Sequence, residues 1–320
     1  MAASVRGRFE QLFPGERLIL VDNADRIAAA FDSLGNQRPA TCGAYALKYL
    51  FPGLDFVEHE GHDLTAEDYL AHLAAVVVED DEVEPSEEIG RRVAAGELTE
   101  AQALAAFGGT WYRYPVRSSS DPVKSGTSPT GVARAVAFGS LGQLSVIPIP
   151  ARKTDGTVQL TRGRWSSLLD ELAEHTADWH WHAIFNYESD QLLRPNDPAF
   201  TPENLRVAHP EELIPRDDWG AGHFVGLAGL WKRVGGGAWW LLLFDTYKHR
   251  GFDGYQPQPA ELMRQGMVRT DGRGGGLLLV VPTAMVAALD DMVRTLGLEA
   301  RMWSNGSTEP ADWTWTPPIA

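Results

Sequence analysis

The sequence predicts an α+β protein in which N-terminal helices pack on an antiparallel β-sheet. Helical patterns dominate residues 24–142, whereas short apolar strand patterns dominate residues 144–281. The clearest strand pair is a hairpin, and helices followed by antiparallel strands are typical of the α+β class. Because the 320 residues show no internal repeat, we expect a single domain, 1–320, with insertions at about 79–125 and 188–218.

The helices are predicted from apolar periodicity and capping residues. Thr65-Ala66-Glu67-Asp68 resembles a capping box, and Ser128-Pro129 offers an N-cap followed by a proline at the first helical position. The acidic segment 79–88 is interpreted as a solvated loop. The predicted helices of this half are 24–34, 42–53, 65–78, 87–107 with a break near Gly96, and 128–142.

The second half reads mainly as strands. Apolar runs bounded by proline or glycine mark them, and Gly235-Gly236-Gly237 is predicted as the turn of a hairpin. The polar, proline-rich segment 188–218 is predicted to run over the surface. The predicted strands are 144–149 with a hairpin partner at 157–161, then 179–187, 223–231, 238–245 and 277–281, with helices at 164–175, 260–265 and 282–296.

Composition and net charge indicate which classes of partner and which cellular location to expect. The formal net charge of −15 argues against a nucleic-acid or anionic-membrane partner. No apolar stretch reaches the ~18 residues of a membrane span, and the N-terminus lacks a signal-peptide pattern. With one cysteine, we expect a cytoplasmic location. A protein partner at the acidic segment 79–88, or at the Trp-rich tail 303–315, is an open alternative.

Cys42 is the only cysteine, and its setting suggests chemistry. A loop delivers it to the predicted start of a helix, where backbone N–H groups and the helix dipole favour a nucleophilic thiolate. The alternative is a small buried hydrophobic residue.

Two further residues complete a candidate catalytic set. His223 opens a predicted strand, and Asp245 closes the next one, so an antiparallel hairpin returns both to one end of the sheet. Asp245 would orient His223 toward Cys42. Gln37, or alternatively Asn36, lies just upstream of the nucleophile and would donate a hydrogen bond to an oxyanion.

This order of residues resembles the papain-like cysteine peptidases, and most closely the C39-like group that includes bacteriocin leader peptidases. The resemblance rests on Gln37 before Cys42-Gly43, on Gly222-His223-Phe224-Val225 opening a strand, and on Asp245 ending the next. It implies a papain-like fold with Cys42, His223, Asp245 and Gln37 as catalytic residues. The family usually places glutamine six residues before cysteine, where this chain has Asn36, and Asp directly before it, where this chain has Thr41.

No metal or cofactor is expected. His59 and His62 lack the spacing of a helical zinc motif, and His180 with His182 would give only two ligands on one strand face. The triplets Gly235–Gly237 and Gly274–Gly276 are interpreted as turns rather than phosphate loops. The tail 303–315 either packs back on the domain or binds a partner.

The sequence therefore predicts a cysteine peptidase that cleaves a peptide or amide bond through an acyl-enzyme. Two alternatives stay open. An acyl transferase or cyclase would use the same residues, and a catalytically inactive binding module would keep the fold without the chemistry. The insertions at 79–125 and 188–218 are expected to select the substrate.

Overall fold

The computed structural model describes residues 4–206, 216–233 and 237–316. The helices are α1 (Val5–Leu12), α2 (Ala24–Asp32), α3 (Cys42–Gly53), α4 (Glu67–Leu73), α5 (Asp80–Ala94), α6 (Glu100–Phe107), α7 (Pro129–Gly139), α8 (Arg162–Glu174), α9 (Thr176–Trp179), α10 (Pro202–Leu205), α11 (Ala260–Val268) and α12 (Val286–Thr295). The strands are β1 (Ile19–Leu20), β2 (Glu58–His59), β3 (His62–Asp63), β4 (Val77–Glu79), β5 (Arg117–Ser119), β6 (Leu144–Pro150), β7 (His182–Glu188), β8 (Gly222–Lys232), β9 (Trp239–Phe244), β10 (Tyr255–Pro259) and β11 (Gly276–Pro282).

One large antiparallel sheet forms the centre of the molecule. Its strand order is β10-β9-β8-β7-β11-β6, and β1 pairs with the far end of β8 to make seven strands. The strands β8 and β9 are buried along almost their whole length, so their apolar residues supply much of the core. The prediction of an α+β protein with N-terminal helices and an antiparallel sheet is confirmed at this level.

The helix α3 is the element that the sheet and the other helices surround. It packs against α2, α4, α7 and β8. Gly43 allows α7 to approach, because a Cβ at that position would lie 2.8 Å from a Val132 methyl group on α7. Apart from Lys48 the run after Cys42 is mainly apolar, as expected for a helix that is buried on most of its surface.

A single hydroxyl connects α3 to two strands. The Tyr49 hydroxyl accepts a hydrogen bond from the Gly226 N–H on β8 at 2.9 Å and donates to the Phe244 carbonyl on β9 at 3.4 Å. Gly226 has no side chain to obstruct this approach, since a Cβ there would clash with the phenol. The hydroxyl thus fixes α3 relative to the strands that follow His223 and precede Asp245.

Several predicted elements are confirmed. The helix at 24–34 is α2, the helix after Cys42 is α3, and Ser128 caps α7 by accepting a hydrogen bond from the Gly131 N–H. The hairpin of 223–231 with 238–245 is the β8–β9 pair, although residues 235 and 236 of its turn lie outside the described residues. The strands at 144–149 and 277–281 and the helices near 164–175, 260–265 and 282–296 are also present.

The helix predicted for 65–78 is wrong in its second half. The chain leaves α4 after Leu73, and Ala75 adopts a left-handed conformation that ends the helix. Residues Val77–Glu79 then form β4, which pairs in parallel with β5. The predicted capping box is also absent, because the Thr65 hydroxyl donates to Asp63 instead.

The acidic segment 79–88 is not a loop. It forms most of α5, with Glu79 at the N-cap and Glu82 completing a reciprocal capping box. Acidic residues in a first helical turn offset the partial positive charge of the helix N-terminus, which explains why so acidic a segment is helical. The predicted helix 87–107 is divided accordingly into α5 and α6.

Two strand predictions also need correction. Residues 157–161 form only a single bridge, between Arg152 and Val158, and β6 pairs with β11 instead. The strand predicted from Trp179 begins at His182, because Trp179 lies in α9 and His180 ends that helix in a left-handed conformation. A local pattern cannot show that β11 lies between β6 and β7.

The insertion and the tail take definite positions. Of the segment 188–218, the described part includes α10 and a short turn at Ser189–Gln191, and residues 207–215 lie outside the described residues.

The tail packs back on the domain: Trp303 donates to the Asn186 side chain at 3.1 Å, and Trp315 donates to the Val146 carbonyl at 3.0 Å. No helix among the described residues has the length and apolar character needed to cross a bilayer.

The hydroxyl of Tyr49 is expected to contribute to stability. The substitution Tyr49→Phe leaves the Gly226 N–H buried without an acceptor, so the free energy of unfolding should fall by about 1–3 kcal/mol in chemical denaturation. The control is Tyr112→Phe, since the buried Tyr112 hydroxyl has no partner among the described residues. Equal losses for both variants would contradict the role assigned to Tyr49.

Candidate functional site

Cys42 is the first residue of α3 and lies at the bottom of a cleft. Its side chain is 8% exposed, and the preceding Ala40 adopts a left-handed conformation that turns the loop into the helix. The N–H of a first helical residue has no partner within the helix. A thiol at this position therefore has a free backbone donor beside it.

A buried carboxylate holds the loop that carries Cys42. Glu67 on α4 accepts hydrogen bonds from the Arg38 N–H at 2.7 Å and from the Thr41 hydroxyl at 2.6 Å. Lys48 on α3 forms an ion pair with the same carboxylate at 3.2 Å. Glu67 thus joins the loop before the cysteine to the helix after it, and this role was not predicted.

His223 lies near the start of β8 and is 1% exposed. Its Nε2 lies 3.3 Å from the Asp245 Oδ1 and 3.3 Å from the Thr246 hydroxyl. These contacts leave Nδ1 as the ring nitrogen available to Cys42, whose side chain interacts with the imidazole. The three predicted residues Cys42, His223 and Asp245 are therefore brought together.

Two aromatic rings fix the plane of the imidazole. The Tyr247 ring stacks on it with 5.8 Å between centroids and an interplanar angle of 14°. The Trp219 ring meets it edge-on at 4.9 Å. Because both rings also contact each other, His223 has little room to rotate away from Asp245.

Asp245 is fully buried, and both its oxygens are occupied. The Oδ1 atom accepts a hydrogen bond from the Tyr247 N–H at 2.9 Å. The Oδ2 atom accepts one from the Gln256 side chain and lies 3.5 Å from the Arg250 Nε. Arg250 is in turn paired with Asp217. A buried carboxylate with this many donors keeps its orientation toward the histidine.

The pKa of His223 reflects these partners. Burial alone lowers it, but the hydrogen bonds to Asp245 and Cys42 and the negative charges of both raise the pKa to about 9. The imidazole is then a cation at neutral pH, with the Asp245 side chain on one side and the Cys42 side chain on the other. A cationic imidazole beside a cysteine favours the reactive form of thiol nucleophiles.

Gln37 rather than Asn36 faces the cleft. The Gln37 backbone N–H donates to the Thr246 carbonyl at 3.0 Å, and its Nε2 donates to the Tyr247 hydroxyl at 3.1 Å. One N–H of this amide stays available. Asn36 instead accepts a hydrogen bond from the Lys248 N–H at 2.8 Å, on the loop after β9.

The cleft has a volume of about 400 Å³. Cys42 and His223 line it, and the walls come from segments far apart in the chain. The predicted insertion 79–125 contributes Glu79 and Glu82, and the segment just after 188–218 contributes Trp219. The tail contributes Asn305 and Ser307, which sequence reasoning did not place there.

His59 and His62 have local partners. His59 and His62 lie opposite each other on β2 and β3, and their Nδ1 atoms contact the Tyr69 and Tyr114 hydroxyls at 2.7 and 2.9 Å. Burial lowers the pKa of His182 to about 4, so it is neutral. Within the described residues, no group of three or more His, Cys, Asp or Glu side chains is arranged to hold a metal ion.

Several residues of the site were missed by sequence reasoning. Trp219, Arg250 and Gln256 reach His223 or Asp245 only through the tertiary fold. Tyr247 offered a weak signal, since it follows Asp245 by two residues on the same side of the turn. Glu67 offered a misleading signal, because it lies within the segment Thr65-Ala66-Glu67-Asp68 that resembled a capping box.

Comparison with known proteins identifies a family but no activity. A search of curated proteins gives no match. The model of one protein family matches residues 21–304, which include Gln37, Cys42, His223 and Asp245. The chain therefore belongs to that family, which is described as a family of unknown function (DUF6885).

Proposed function

We propose that this protein is a thiol hydrolase that cleaves a peptide or amide bond with Cys42, His223 and Asp245. The observation that carries the proposal is the buried imidazole of His223, held by Asp245 on one side and available to Cys42 on the other, at the floor of an open cleft. Three chain segments contribute one residue each, in the roles that nucleophilic catalysis requires.

The proposed reaction begins with attack by the Cys42 sulfur on the substrate carbonyl carbon. The C=O electron pair moves onto oxygen, which accepts hydrogen bonds from the Cys42 N–H and the free N–H of Gln37. As the oxyanion collapses, the C–N bond breaks and the leaving nitrogen takes the proton from His223 Nδ1. The result is a thioester and a free amine.

The second half of the reaction releases the acyl group. A water molecule loses a proton to His223 while its oxygen attacks the thioester carbonyl. The S–C bond then breaks, the carboxylic acid leaves, and the Cys42–His223 pair is restored. Asp245 orients and stabilises the imidazolium in both halves of the reaction. An amine in place of water would give acyl transfer by the same steps.

The proposal includes a papain-like fold of the C39-like type. Its support is the nucleophile at the start of a buried helix, packed on a sheet whose adjacent antiparallel strands carry the histidine and the aspartate. We further propose a peptide or protein substrate, a single domain with insertions, and a cytoplasmic location, which suits a free cysteine. A binding module without catalysis would not require the buried His223–Asp245 pair.

Alkylation of Cys42 tests the thiolate–imidazolium pair. At pH 6 an ordinary thiol of pKa ~8.5 is almost wholly protonated, so iodoacetamide should label wild type at least about tenfold faster than His223→Ala. Above pH 9, where His223 loses its proton, the two rates should converge. Intact mass gives the readout, because the chain has one cysteine. The control is His175→Ala, and equal rates at pH 6 for wild type and His223→Ala would contradict the proposal.

Asp245 should hold His223 in its charged form. The substitution Asp245→Asn removes a negative charge beside the imidazole, so the pKa of His223 should fall from about 9. An NMR titration of the imidazole carbons, with the His223 signal assigned by its loss in His223→Ala, measures the change. Asp271→Asn is the control, since Asp271 pairs with Arg269. An unchanged titration in Asp245→Asn would exclude the orienting role.

Turnover is tested with a library of short peptides read by mass spectrometry. Hydrolysis by wild type should give fragment pairs that together gain one water, and Cys42→Ala should give none. Added amines would capture the acyl group if transfer competes with hydrolysis. A thiol that reacts rapidly with iodoacetamide but turns over no peptide or amide would support the binding-module alternative.

A further inference from the structure

One wall of the cleft carries two carboxylates. Glu79 is the last residue of β4 and the N-cap of α5, and Glu82 lies one turn further along that helix. Both line the cavity that contains Cys42 and His223. The Glu79 N–H donates to Glu82 Oε2 at 3.2 Å, so the two side chains are held next to each other.

We propose that Glu79 and Glu82 select substrates with a cationic group, a primary amine or a guanidinium, close to the bond that is cleaved. This inference rests on the proposed hydrolase function and names the substrate class of the same cleft. It assigns a role to the insertion at 79–125, which the catalytic steps do not use.

The charges in the cleft are unequal. Within the described part of the chain, neither Glu79 nor Glu82 forms an ion pair. Arg273 also lines the cavity and lies 3.6 Å from Asp271, which pairs more closely with Arg269. The two glutamates therefore outnumber the one arginine of the cavity lining, and a cationic substrate group would offset the excess negative charge.

Glu82 lines the same cavity as the reacting groups. Its charge raises the pKa of Tyr247, whose ring stacks on His223, after the larger effects of burial, Cys42 and Asp245. Burial, followed by the nearby carboxylates of Glu79 and Asp81, raises the pKa of Glu82 itself. A carboxylate held in this way would be stabilised by a cation in the cleft.

Helix capping does not explain all of this arrangement. Asp80 and Asp81 also lie in the first turn of α5, where their negative charges interact favourably with the helix dipole. Both are exposed to solvent. Glu82, in contrast, is partly buried and faces the cavity. The capping bond uses one of its oxygens, and a glutamine would cap the helix equally well.

A second acceptor in the same cleft has no partner. The Gln37 Oε1 atom is buried without a hydrogen bond among the described residues, although Gln37 Nε2 is bonded to Tyr247. A buried amide oxygen favours an N–H donor. The residues that line the cavity thus include an amide oxygen without a donor in addition to the two carboxylates.

The chemistry favours an organic cation over a metal. Calcium takes ~6–8 oxygen ligands and magnesium requires an octahedron, whereas the two carboxylates share one wall of a wide cleft. An ammonium or guanidinium binds carboxylates through a few N–H donors without a closed coordination shell. The cavity of about 400 Å³ accommodates a short peptide segment or a small amide.

Charged thiol reagents test the inference without a known substrate. Cationic aminoethyl and anionic sulfonatoethyl methanethiosulfonate both form a disulfide with Cys42 and release methanesulfinate. With each rate divided by that of free N-acetylcysteine, wild type should favour the cationic reagent by about tenfold or more at low salt. In Glu79→Gln/Glu82→Gln this preference should fall toward one, and neutral methyl methanethiosulfonate should react at an unchanged rate.

The matched control is Glu84→Gln/Glu87→Gln. Both residues are exposed on α5 outside the cleft, so the variant has the same change in net charge and should keep the preference. The single variant Glu82→Gln retains the capping bond and should show an intermediate preference, and circular dichroism checks the fold. A preference that persists in the double cleft variant would overturn the inference.

The inference can fail independently of the hydrolase proposal. Two substrates are compared that differ only in having lysine or the uncharged norleucine beside the cleaved bond. Wild type should cleave the lysine substrate with the higher kcat/KM, and Glu79→Gln/Glu82→Gln should lower kcat/KM for the lysine substrate only. Cleavage of both substrates at equal rates by wild type would overturn the charge selection and leave the hydrolase intact. Equal iodoacetamide labelling of wild type and His223→Ala would contradict the hydrolase, whatever the reagents show.

Discussion

The Tyr49 hydroxyl is the contact on which the geometry of the site depends. Cys42 belongs to a helix, whereas His223 and Asp245 belong to a sheet, and the relative position of the two must be fixed closely for a thiol to meet an imidazole. The hydroxyl bonds to Gly226 on β8 and to Phe244 on β9. One oxygen atom thereby fixes the helix against both strands that carry the candidate catalytic groups.

The surroundings of Asp245 explain how a histidine can be both buried and charged. Desolvation opposes a cation in this position, and only close anions overcome it. Gln256, Arg250 and the Tyr247 N–H contact the Asp245 carboxylate and fix its orientation toward His223. The polar residues behind the aspartate therefore determine the state of the imidazole in front of it.

Sequence patterns revealed many of the local elements but not the contacts between them. The helix after Cys42 and the β8–β9 hairpin are apolar runs bounded by residues that favour turns, so a few consecutive residues reveal each of them. The place of β11 between β6 and β7 depends on pairing between distant segments, which no local period encodes. The same limit applies to Glu67, whose bonds to the loop before Cys42 arise only in the folded chain.

The incorrect assignment of segment 79–88 has a consequence for the cleft. If the segment were a solvated loop, water and salt would screen its acidic side chains, which would then have little effect on a substrate. As a helix capped by Glu79, the segment holds two of its carboxylates at a fixed place on the cleft wall while the others face solvent. The helix thus places part of the negative charge of the protein at one wall of the cleft. The net charge of −15 alone predicts repulsion of anions from the whole surface, but the helix determines where a cation is held.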